Sequence, residues 1–160
     1  MEKVNFISIP RTATNSIRAL IPYKDDSFSN HKSIRLTKDE RFSFAVIRHP
    51  LQRLISWWRS NSNTIYDPTG KIYLDTFVNW ANNGFLTHWD DDFCFDSGIF
   101  SPLHQSDFVC DKNNDVIVDC LIDYDDIQNQ FTRALSPYIK NTILPNVNMS
   151  NHSKVVSVNK

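Results

Sequence analysis

Val4-Asn5-Phe6-Ile7-Ser8-Ile9-Pro10-Arg11-Thr12-Ala13-Thr14-Asn15-Ser16-Ile17-Arg18-Ala19-Leu20-Ile21-Pro22 changes its periodicity once, at Pro10. Val4 to Ile9 is a short, β-branched apolar run, which predicts a buried strand. After Pro10 come three residues suited to cap a helix, Thr14, Asn15 and Ser16, and then one apolar face, Ile17, Leu20 and Ile21, stopped by Pro22. The segment therefore predicts strand, tight turn, helix. A turn of this kind aims backbone N–H groups and the positive end of the helix dipole at one point, an arrangement suited to a phosphate or sulfate.

The same unit recurs downstream. Phe44 to Ile47 is a second continuous apolar run, and Pro50 stands where a helix accepts proline as its first residue. Leu51, Leu54, Ile55 and Trp58 then fall at core-facing helical spacing, a stripe that excludes Ser56. Between the two units, a short helix is expected near Thr37 to Arg41. Further on, Leu74, Phe77, Val78 and Ala81 mark an amphipathic helix with Gly84 as its stop. Asp107 to Cys110 and Val116 to Ile122 read as strands around an Asn113-Asn114 turn. Tyr124, Ile127, Phe131 and Ala134 outline a last helix ending near Pro137. Strands alternating with helices predict an α/β layer fold with a mainly parallel sheet, and no internal repeat is evident.

With 160 residues the chain is sized for one domain, taken here as residues 1–160. Its 41% hydrophobic content and three glycines argue for a packed globule. A formal net charge of -1 supplies no global field to draw it to nucleic acid or to an anionic membrane, so any anion site must be local. The three cysteines, Cys94, Cys110 and Cys120, lack CxxC spacing and suggest neither a disulfide framework nor a zinc site. Reduced thiols in a cytoplasmic compartment are the expectation. No apolar stretch has signal-peptide or membrane-spanning length. Asp90, Asp91, Asp92 and Asp96 have no ligand spacing with the histidines, so a solvated acidic loop is expected and no metal. Oligomeric state is not legible.

The turn from Pro10 to Ser16 contains neither Gly nor Lys, so the GxxxxGK-Ser/Thr loop of ATPases and kinases is absent. It offers instead Arg11 and four hydrogen-bonding side chains. Arg48, at the end of the second strand, carries a planar fork for a phosphate, and Ser56, two helical turns on, can face the same ligand.

These two segments together resemble the sulfotransferases that use 3′-phosphoadenosine 5′-phosphosulfate (PAPS), in particular the carbohydrate branch that includes heparan sulfate 2-O-sulfotransferase. Ile9-Pro10-Arg11-Thr12-Ala13-Thr14-Asn15-Ser16 is similar to the family's 5′-phosphosulfate loop, Ile-Pro-Lys-Thr-Gly-Gly-Thr-Ser. Ile47-Arg48-His49-Pro50-Leu51-Gln52-Arg53-Leu54-Ile55-Ser56 is similar to its 3′-phosphate element, Val-Arg-Asn-Pro-x-x-Arg-Leu-x-Ser. Weaker echoes are Asn30-His31, Gln105 with Phe108, Val118 to Ile127, and Leu144-Pro145-Asn146. Arg11 stands for the usual Lys, and Ala13 and Thr14 stand where the family carries glycine or small residues.

The resemblance implies a P-loop-containing nucleotide-hydrolase-like three-layer fold and a sulfuryl transfer from PAPS to a hydroxyl acceptor, a saccharide among the candidates. It implies donor contacts from Arg11, Thr12, Ala13, Thr14, Asn15, Ser16, Arg48 and Ser56, with Arg11 stabilising the leaving group. It also implies His31 as general base, because a neutral imidazole is the side chain suited to accept a hydroxyl proton near neutral pH. The residues leave two other readings open, a nucleotide-binding module without catalysis and an atypical nucleotide kinase. Trp57 and Trp58 are expected in the core rather than against an adenine.

Overall fold

In a computed structural model that describes residues 4–21, 31–61, 76–85, 101 and 103–145, the first apolar run pairs directly with the second. Strand β1 (Val4–Ile7) lies parallel to β2 (Phe42–Ile47), with Val4 opposite Phe42 and Ile7 opposite Ala45. Strand β3 (Cys120–Asp123) pairs parallel to the other side of β2, with Ile47 opposite Asp123. The sheet order is β1-β2-β3.

Both faces of this sheet are covered, which is why its strands read as continuous apolar runs rather than as alternating ones. Successive side chains still point to opposite faces. Val4, Phe6, Phe44, Val46 and Ile122 enter one core with Ile17 of α1 (Thr14–Leu20) and with Phe131 and Leu135 of α6 (Ile127–Leu135). Ile7, Ile9 and Ala45 enter the other, with Ile34 of α2 (Ile34–Thr37) and Phe108 and Val109 of α5 (Ser106–Val109). The registered pair Phe6 and Phe44 stacks at 5.0 Å between ring centroids, and Phe131 meets Phe44 edge-on at 5.9 Å. The result is the three-layer α/β arrangement with a parallel sheet flanked by helices.

Helix α3 (Pro50–Asn61) begins at the expected proline, but its buried face is turned from the expected stripe. Leu51 is 51% exposed, whereas Arg53 and Trp57 are 1% and 2% exposed. Trp57 and Trp80 of α4 (Phe77–Asn82) form a separate aromatic core, with Leu54, Trp58, Phe77 and Phe85 packed against it. Both tryptophans of α3 thus serve packing, as expected. Helix α4 ends where Gly84 takes φ 76°, a left-handed conformation glycine adopts without steric cost.

Three further elements differ from their sequence readings. The short helix falls at Ile34–Thr37 rather than near Thr37 to Arg41, capped by Ser33, whose hydroxyl accepts from Arg35 N. Asp107 to Cys110 is helical through Val109. Phe108 and Val109, adjacent in sequence, enter the same core, which an extended strand would have sent to opposite faces. Of Val116 to Ile122, only the last three residues belong to β3. Val116 makes a lone antiparallel bridge to Cys110 around a turn in which Asp111 Oδ1 accepts from Asn113 N and Asp115 N. The loop from Asn61 to Lys71 and the acidic stretch Asp90 to Asp96 lie outside the described residues, apart from the Asn61 backbone.

Candidate active site

The site stands at the carboxyl ends of the three parallel strands, where open α/β sheets place their ligands. Each strand delivers one residue to it. Arg11 follows β1, Arg48 follows β2 and Tyr124 follows β3, in a 3-10 turn over Tyr124–Asp126.

The turn after β1 closes on itself. Thr12 and Thr14 direct their hydroxyls inward, both donating to the Ile9 carbonyl, at 2.8 and 2.9 Å. Both side chains are buried, Thr12 completely. They therefore shape the loop from within and are two of its four hydrogen-bonding side chains. Arg11 and Ala13 take the left-handed region, at φ 68° and 64°. That conformation costs a non-glycine residue about 1–2 kcal/mol. Ala13 is also the residue preceding α1, and no side chain caps that helix start. Asn15 is exposed and Ser16 is buried in the first turn of α1.

The Arg11 guanidinium lies along α3. Its Nε and Nη2 both donate to Ser56 Oγ at 3.2 Å, and Nη1 donates to Ser60 Oγ at 3.0 Å. Ser60 is four residues beyond Ser56 and so on the same helix face. Arg48 Nη1 donates to the Arg11 carbonyl at 3.3 Å, and the Arg48 guanidinium carbon sits 4.1 Å from the centre of the Tyr124 ring. Arg48 Nε is buried with no hydrogen-bond partner. Among the described residues no carboxylate pairs with Arg11 or Arg48. Desolvation, and second the neighbouring Arg48 charge, pull the Arg11 guanidinium below its ordinary pKa. Two like charges are thus held together with no paired acid among the described residues, an arrangement that suits an anion.

Arg53 braces the arrangement from beneath. Its Nε donates to the Pro10 carbonyl and its Nη1 to the Leu103 carbonyl, both at 2.8 Å, while its guanidinium lies over Trp57. Burial lowers its pKa to about 10, which leaves it charged at neutral pH. Gln105, at the start of α5, bonds the Arg48 backbone twice.

His31 bonds the residue that follows β1. Its Nδ1 lies 2.7 Å from the Ser8 carbonyl and 3.1 Å from Ser8 Oγ. A carbonyl oxygen only accepts, so Nδ1 carries the proton and the lone pair resides on Nε2. Burial, with the Arg18 and Arg53 charges adding to it against the Ser8 bond, lowers the His31 pKa to about 4. Ser8 Oγ in turn takes a hydrogen bond from Arg18 Nη2 and donates to Thr14 Oγ1.

The structure thus brings Arg11, Arg48 and Ser56 together, while His31 bonds Ser8. Ser60, Tyr124 and the brace Arg53 were not singled out from the sequence. The i, i+4 spacing to Ser56 could have drawn attention to Ser60. His49 and His104 are exposed, the latter 3.8 Å from Asp107, and His88 and His152 lie outside the described residues. No cluster of three metal-ligating side chains occurs among the described residues, and no described helix is long and apolar enough to cross a membrane.

Comparison with curated proteins and with solved structures gives no match. A protein-family model described as "Sulfotransferase family" matches residues 8–136, from the residue before the loop to the end of the last helix. That span covers all three site-bearing strand ends, and the chain belongs to the sulfotransferase family.

Proposed function

We propose that this domain transfers a sulfuryl group from PAPS to a hydroxyl acceptor, a saccharide among the candidates. Family membership supports sulfuryl transfer in general. The observation that carries the choice of donor is the pair Arg11 and Arg48, with Arg48 Nη1 3.3 Å from the Arg11 carbonyl and no carboxylate paired with either guanidinium among the described residues. A donor with phosphates at both ends of its ribose asks for two separate cationic points, and these two strand ends supply them.

In this reading the Pro10 to Ser16 turn holds the 5′-phosphosulfate through the backbone of Thr12, Ala13, Thr14, Asn15 and Ser16. Arg48, with Ser56, holds the 3′-phosphate. PAPS supplies the sulfuryl group. Arg11 neutralises the bridging phosphate oxygen on which charge collects as its bond to sulfur breaks, a contribution of the oxyanion-hole kind worth a few kcal/mol. Its hydrogen bonds to Ser56 and Ser60 hold it along α3, the helix that carries Ser56. His31 takes the acceptor's hydroxyl proton on Nε2, the nitrogen its tautomer leaves basic. With its proton affinity lowered by burial, His31 is neutral throughout the neutral range, and a bound anion raises that affinity toward a useful value.

The test is transfer of labelled sulfate from PAPS to a panel of saccharide and phenolic hydroxyls. We expect transfer by the native chain, a fall of about 100-fold or more with Arg11→Ala, and a comparable fall with His31→Ala. The low basicity of His31 favours a second reading, a module that binds the donor without transferring from it. Tight binding of 3′,5′-ADP with no transfer to any hydroxyl selects that reading.

A further inference from the structure

Gln105 lies 57 residues from Arg48 in sequence, yet its carboxamide meets that residue's backbone on both sides. Arg48 N donates to Oε1 at 2.9 Å, and Nε2 donates to the Arg48 carbonyl at 2.7 Å. A carboxamide sets an acceptor oxygen beside a donor nitrogen, the complement of a single peptide residue's N–H and C=O. It therefore pairs with Arg48 as an adjacent strand would, one residue beyond the end of β2. The side chain is committed to this contact and does not cap its own helix, α5.

Gln105 is itself rigidly placed. Phe108 and Val109 anchor α5 in the core, and the Leu103 carbonyl, two residues upstream, is held by buried Arg53. On the opposite side, the Arg48 guanidinium rests on the Tyr124 ring. Backbone and head group are thus fixed from separate elements. A long side chain held at both ends loses little freedom when it grips an anion, and it grips only at one place.

We propose that Gln105 is a positioning residue that sets selectivity for a nucleotide bearing a 3′-phosphate, by fixing the backbone from which Arg48 projects. This rests on the assignment of Arg48 to the 3′-phosphate. Gln105 touches no donor atom in this role, so its removal weakens discrimination rather than general nucleotide affinity.

The experiment compares the affinity for 3′,5′-ADP with that for 5′-ADP, by calorimetry, in the native chain, Gln105→Met, Arg48→Ala and the double variant. Thermal unfolding is followed in parallel. The expected result is a preference for 3′,5′-ADP in the native chain and a loss of about tenfold of it in Gln105→Met, with 5′-ADP affinity held. Adding Gln105→Met to Arg48→Ala should then cost no further selectivity, because both act through one group. Gln105→Glu keeps the shape and the acceptor while losing the donor. It provides the same reading, a reduced preference, if the Met variant fails to unfold cooperatively. An undiminished preference in the folded variants overturns the assignment of Gln105 alone, as does an equal loss for both nucleotides. Absence of any 3′-phosphate preference in the native chain overturns the assignment of Arg48, and this one with it.

Discussion

The turns after β1 and after β2 perform related tasks by opposite means. The first, from Ile9 to Ser16, is held from within: two threonine hydroxyls converge on one carbonyl three and five residues back. The second, at Arg48, is held from without, by Gln105 and Tyr124, which are 57 and 76 residues further along the chain. Arg53 ties the two together, since it sits on the helix that follows the second turn and bonds the Pro10 carbonyl of the first. A self-closed loop tolerates local change with modest loss. An externally braced residue fails when a distant support is removed.

The largest effect should come from the shared brace. Arg53→Leu leaves the Pro10 and Leu103 carbonyls without their guanidinium partner and is expected to destabilise the fold by about 3–4 kcal/mol, measured by urea unfolding. Arg53→Lys, which keeps the charge but cannot fork between two carbonyls, should lose roughly half as much.

Next in size is a pH effect at the first turn. The folded-state pKa of His31, about 4, lies below its ordinary 6.5, so between these values the unfolded chain binds a proton that the folded chain does not. Stability from this group is complete above pH 6.5 and is lost as pH falls toward 4, by about 3 kcal/mol across the window. Unfolding free energies of the native chain and His31→Gln, measured from pH 7 to 4, should show the native advantage shrinking as the pH drops. A constant difference contradicts the buried neutral imidazole.

Changes within the first turn should be smaller. Thr12→Val removes one of two hydrogen bonds to the Ile9 carbonyl, which keeps the Thr14 bond, and should cost about 1 kcal/mol in thermal or urea unfolding. Smallest, and opposite in sign, is Ala13→Gly. The left-handed φ of 64° is unfavourable for alanine and open to glycine, so the variant should gain about 0.5–1 kcal/mol after glycine's greater unfolded-state freedom is subtracted.

The same contrast explains how much was legible in the sequence. β1, β2, α1 and the start of α3 follow from local runs and from Pro10, Pro22 and Pro50, because buried parallel strands and helices bounded by proline are written in contiguous residues. The convergence of Arg11, Arg48 and Ser56 was legible through the resemblance to a family, since two turns after neighbouring parallel strands must open on the same edge of the sheet. Tyr124 was not, because its place depends on β3 pairing beside β2, a long-range register that no local pattern encodes. Arg53 stands on the fixed Arg of the family's 3′-phosphate element, but its burial was not legible: arginine is rarely fully buried, and the apolar stripe put Leu51 in the core instead. Thr12 and Thr14 were visible as hydrogen-bonding residues, but their inward direction was set by the Ile9 carbonyl. Phe108 and Val109 form too short an apolar run to separate helix from strand by period.

The central claim is that Arg48 reads a 3′-phosphate beside the phosphate loop. Calorimetric titration of the native chain and of Arg48→Ala with 3′,5′-ADP, 5′-ADP and ATP tests it most directly. The account predicts that 3′,5′-ADP binds the native chain more tightly than the other two by about 100-fold, and that Arg48→Ala erases that margin while still binding 5′-ADP. Equal affinity of the native chain for all three nucleotides, or a margin that survives Arg48→Ala, would contradict it.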